Sequence, residues 1–174
     1  KTTSIPKNKS EVLAVPDLAD FLERVDQTLS RAGTTGKQSA LLQVSVDSWG
    51  YLTEALGHSS SQGLMRAIKR EAAQALRERD DIISIGDTGE LMVNIIEIDS
   101  RDDLNWSVEQ LLESLRKPFK VDGQDIYVAC NAGIAMFPGD GGTSSILARN
   151  AGAAVRRARI ENRIEGYKYY SADM

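Results

Sequence analysis

The chain has 174 residues, 41% of them hydrophobic and 26% charged, which is enough apolar material for one domain core and too little charge bias for wholesale disorder. Against 21 Lys and Arg stand 25 Asp and Glu, a formal net charge of -4 and a pI near 5.1, so the basic footprint of sequence-independent duplex binding is excluded and any nucleotide site must be local. The lone Cys130 excludes an internal disulfide and a multi-cysteine zinc knuckle and fits a reducing compartment, and no apolar run approaches the roughly 20 residues of a membrane span.

Residues 1–15 are polar apart from Val12–Val15 and read as a linker or N-terminal extension, with a single domain over 16–174. The first residue is Lys1, and no signal-like apolar stretch follows it, so the chain is expected to be a piece of a longer polypeptide. From Asp17 the residues Leu18, Phe21, Leu22, Val25 and Leu29 follow helical spacing, which fades at Gly33–Gly36. Leu42, Val44 and Val46 alternate with Leu41, Gln43 and Ser45, the period of a strand. A second long helix is expected through Leu64, Met65, Ile68, Ala72, Ala75 and Leu76, ending in the charged cluster Arg77–Asp81.

Ile82, Ile83 and Ile85, the turn-prone Gly86–Glu90, and Leu91–Ile96 then read as two strands joined by a tight turn. Leu104, Val108, Leu111, Leu112 and Leu115 repeat the helical spacing, and Pro118 closes that helix. After a turn at Asp122-Gly123, Ile126, Val128, Cys130, Ala132, Ile134 and Met136 are expected on one face of a long strand, with Cys130 as a core residue. The glycine-rich Gly139–Gly142 leads to a last helix with Leu147, Ala151, Ala154, Val155 and Ala158 on one stripe, and Tyr167, Tyr169 and Tyr170 form a terminal aromatic strand. The order predicts an α+β fold with a mostly antiparallel sheet flanked by helices.

Three stretches carry a resemblance. LLQVSVDSWGYLTEALGHSSSQ (Leu41–Gln62), RERDDIISIGDTGE (Arg77–Glu90) and the tail, with Pro118-Phe119, NAGIAMFPGDGG (Asn131–Gly142) and RNAGAAVRRARIENR (Arg149–Arg163), together resemble the GGDEF domain of the diguanylate cyclase family. The resemblance runs from Pro16 to Tyr170 and implies a βαββαβ core of the nucleotidyl-cyclase type. It also implies a homodimer in which two GTP molecules are joined into cyclic di-GMP by metal-assisted attack of a 3'-hydroxyl on an α-phosphate. Such chemistry needs carboxylates, because Mg²⁺ takes hard oxygen ligands.

Set against the family pattern, the acids are depleted. The Asp-x-Asp pair closing the first strand reads Ser45-Val46-Asp47, so a neutral hydroxyl stands where a metal carboxylate is expected; Asp47 alone is also explained as a strand-end or turn residue. Counting from Asp80, the signature loop falls on Gly86, Asp87, Thr88, Gly89 and Glu90, with Thr88 and Gly89 in place of both acids. A shift of one residue puts Glu90 at the second acid and Leu91 at the Phe, with Gly89 still at the first. The resemblance places guanine recognition on Thr53 and Gln62, which lack the carboxylate for the guanine edge, and triphosphate binding on Arg159 and Arg163. Those two arginines also fit a plain solvated basic face. Arg77-x-x-Asp80 matches the inhibitory cyclic di-GMP motif, and equally an ordinary exposed ion pair; a second arginine for that site cannot be assigned. His58 has no companion ligand and reads as structural.

The expectation is a catalytically silent GGDEF domain, regulatory or dimerising, joined to EAL or sensory domains in a bacterial, cytoplasmic part of a signalling protein whose parent is open to membrane anchoring. No cofactor is expected on that reading. GTP or cyclic di-GMP is the ligand if binding survives. The alternative is a working cyclase whose Mg²⁺ is held by Asp47, Asp87 or Glu90.

Overall fold

Helices cover both faces of the central sheet, so its middle strand is buried on both sides and the simple in/out alternation read from its sequence disappears. The computed structural model describes residues 17–77, 80–85, 88–161 and 166–174, with the backbone alone for 81–85; the linker reading of residues 1–15 lies outside them. Helix α1 (Leu18–Thr35) leads to β1 (Gln38–Val46), the short α2 (Trp49–Leu56) and α3 (His58–Ala75). The hairpin β2 (Asp81–Ile85) and β3 (Glu90–Ile98) follows, then α4 (Arg101–Ser114), a small hairpin β4 (Phe119–Val121) and β5 (Gln124–Ile126), β6 (Cys130–Phe137), α5 (Ser144–Glu161) and β7 (Gly166–Tyr169). The five-stranded sheet has the order β2-β3-β1-β6-β7, antiparallel except for the β6–β7 pair. This is the expected α+β class with its βαββαβ core. Among the described residues no helix is long and apolar enough to cross a membrane.

On one face Leu42, Val44 and Val46 pack with Leu64 and Ile68 of α3 and Leu104, Val108 and Leu111 of α4. On the other, Leu41, Met92 and Ala135 meet Phe21, Val25 and Leu29 of α1 and Leu147 and Ala151 of α5. Each fully buried side chain of this kind contributes roughly 1.5–3 kcal/mol. Cys130 is buried in the first of these clusters, as its place in the apolar pattern predicts.

Two elements depart from expectation. The helix expected through Leu64–Leu76 starts earlier, at His58, and ends at Ala75, and a short helix that the periodicity did not predict, α2, precedes it; Gly57, whose φ of 87° and ψ of 167° fit neither helix, separates the two. The long strand expected over 126–136 is also two pieces. Asp122 and Gly123 both have positive φ (51° and 80°), the geometry of a tight two-residue hairpin. The turn pairs residues 124–126 with 119–121, and pairing with β1 starts only at Cys130.

The position of α5 follows from Gly133. A Cβ there would lie 2.8 Å from the carbonyl carbon of Ala154 and nearer still to backbone atoms of Ala151 and Val155. The helix therefore rests on β6 backbone to backbone. At its start the Asp26 carboxylate accepts from the Ser144 N–H at 2.8 Å and hydroxyl at 2.9 Å. Held at those two points, α5 delivers Arg156 and Arg159 to the C-terminal end of β1.

Candidate functional site: the end of the first strand

Ser45, the penultimate residue of β1, is flanked in register by Glu90 on β3 and Asn131 on β6. Opposed residues of antiparallel strands share a face, so these three form one polar row across the sheet. Ser45 and Asn131 are buried and Glu90 is half-buried. The Asn131 Oδ1 has no hydrogen-bond partner. Asp47 follows, its N–H donating to the Ala129 carbonyl at 2.8 Å, and its carboxylate lies 3.7 Å from the Arg159 Nε. An open cleft of about 400 Å³ is lined by Asp47, Arg156, Arg159 and Ile160. The structure thus brings an acidic and a basic candidate together at ion-pair distance. Both are more than a third exposed, so the pair contributes about 0–1 kcal/mol.

The hairpin loop is closed from below by Trp49, a buried residue that sequence reasoning passed over. Gly89 has φ +76°, and a Cβ on it would lie 2.5 Å from the Trp49 Cβ and closer still to Cγ. The Gly89 carbonyl is fixed as well, accepting from the Val46 N–H at 2.8 Å. No local pattern links Trp49 to Gly89. Only the pairing of β1 with β3 brings them together. Thr88 is exposed, Leu91 is buried in the core, and Gly86 and Asp87 lie outside the described residues.

Thr53 and Gln62 sit on different helices, α2 and α3. The Thr53 hydroxyl donates to the Gly50 carbonyl of its own helix at 2.8 Å, and Gln62 is exposed. Arg163 lies outside the described residues. His58 is the first residue of α3.

Arg77 and Asp80 occupy the opposite end of the sheet, beside the last residues of β3. Asp80 is 5% exposed, and its carboxylate accepts the Arg77 Nε and Nη2 at 2.9 Å each, the Arg77 N–H at 3.3 Å and the Ile96 N–H at 3.2 Å. A carboxylate offers about four lone-pair sites, and all four are used within the chain. The Arg77 Nη2 also donates to the Ile96 carbonyl. The cleft beside Arg77, about 220 Å³, carries Glu97, Asp99 and Asp103 on its walls with Trp106, and no second arginine among the described residues.

Comparisons with known proteins agree with this architecture. The family model described as "Diguanylate cyclase, GGDEF domain" matches residues 14–164. The chain is 26% identical over 152 residues to the bifunctional diguanylate cyclase/cyclic di-GMP phosphodiesterase MucR of Pseudomonas aeruginosa, covering 87% of this chain and 22% of that protein. It is 28% identical over 154 residues to the diguanylate cyclase DgcP of the same organism, covering 86% of this chain and 22% of DgcP. It therefore spans about a fifth of the length of these relatives. Among solved structures, the GGDEF domain of P. aeruginosa TpbB (YfiN) superposes with a TM-score of 0.85 at 23% identity, over 93% of this chain and 94% of that one. The chain belongs to the GGDEF diguanylate cyclase domain family.

Proposed function

We propose that this GGDEF domain is catalytically silent and acts as a regulatory or dimerising module within a larger cyclic di-GMP signalling protein. The observation that carries the reading is the contact of Trp49 with Gly89. Gly89 stands at an acid position of the signature in either register, and both its backbone conformation and the indole beneath it leave no room for a side chain. The burial of Leu91 supports the shifted register, in which Leu91 takes the Phe position and Glu90 the second acid. The other acid position, Ser45, offers a buried neutral hydroxyl, and Asp47 is already turned to Arg159.

That donor set does not fit Mg²⁺, which needs ionised oxygen ligands to offset the loss of its waters. Among the described residues no three His, Cys, Asp or Glu side chains converge on one point. The competing reading is a working cyclase with metal held by Asp47, Asp87 or Glu90, of which Asp87 lies outside the described residues. On the silent reading Arg77-x-x-Asp80 is an internal clamp that ties the start of β2 to β3, and binding of cyclic di-GMP there is lost. A dianion would also face the carboxylates of Glu97, Asp99 and Asp103. EAL or sensory domains in the same polypeptide are the proposed partners, in line with MucR being a bifunctional diguanylate cyclase/cyclic di-GMP phosphodiesterase.

Mn²⁺ titration followed by electron paramagnetic resonance tests the metal part of this reading. The expected result is weak binding that is unchanged by Asp47→Ala. A stoichiometric Mn²⁺ site abolished by Asp47→Ala would overturn it.

A further inference from the structure

We draw no further inference here: the strongest candidate, the cleft between the end of β3 and α4 with the exposed Trp106 at its rim, has its Asp99 already paired with Lys37 of the same chain, and nothing in the structure shows what covers it.

Discussion

The indole of Trp49 fills the space that a side chain at Gly89 would need. A Cβ at Gly89 would sit 2.5 Å from the Trp49 Cβ, and the glycine's φ of +76° lies in the left-handed region that L side chains avoid. Gly89→Asp is therefore expected to cost about 2–4 kcal/mol of stability, from left-handed strain and overpacking together, and to restore no activity. Chemical denaturation measures the first and a GTP assay the second. In a Trp49→Gly background, which removes the Cβ at 2.5 Å together with the indole, the overpacking share of the Gly89→Asp cost should largely disappear, a non-additivity that a double-mutant cycle resolves.

Asp80 holds four hydrogen bonds at the base of the β2–β3 hairpin. Asp80→Ala leaves the Arg77 guanidinium and the Ile96 N–H without their acceptor, at an expected cost of about 2–4 kcal/mol; Arg77 is partly exposed, which places the value below that of a fully buried pair. Calorimetric titration with cyclic di-GMP should give the same flat trace for wild type and Arg77→Ala. Saturable binding that Arg77→Ala removes would restore the inhibitory-site reading.

Gly133 is the point at which α5 rests on the sheet, and nothing soft surrounds it. The atoms that a Cβ would strike belong to the backbone of Ala151, Ala154 and Val155. Gly133→Ala must displace the helix, and with it Arg156 and Arg159. The expected loss is about 3 kcal/mol or more, seen as an earlier midpoint in urea unfolding.

The terminal strand has its own pH signature. The Tyr167 hydroxyl donates to the Glu109 carboxylate at 2.7 Å, and burial, followed by that hydrogen bond, pushes its pKa up to about 12. A phenol raised above its unfolded value of about 10 binds its proton more tightly in the folded state. Its stabilising contribution is therefore complete below about pH 10 and is lost as pH rises through about 12. Unfolding free energies measured across that window should fall more steeply for wild type than for Tyr167→Phe, which lacks the titrating group.

The fold was legible because its strongest signals are local and periodic. The stripe of Phe21, Val25 and Leu29 and that of Leu104, Val108 and Leu111 became the buried faces of α1 and α4. Where the sequence misled, a change of partner was the cause: apolar alternation continues from Ile126 to Met136, but the Asp122-Gly123 turn hands the first part to β4 and only the rest to β1. At the candidate site, the identities of Ser45, Thr88 and Gly89 could be read directly. The Arg77–Asp80 ion pair was also open to reading, being local; the contact of Trp49 with Gly89, the pairing of Asp47 with Arg159, and the burial of Asp80 against Ile96 were not, since each joins residues whose proximity is set by strand register or helix placement.

The central claim is that the domain performs no cyclisation. Incubating the purified chain with GTP and Mg²⁺ or Mn²⁺ and quantifying cyclic di-GMP by mass spectrometry tests it most directly. The account predicts no product from wild type above the level seen with Asp47→Ala, whereas sustained product formation by wild type that Asp47→Ala abolishes would contradict it.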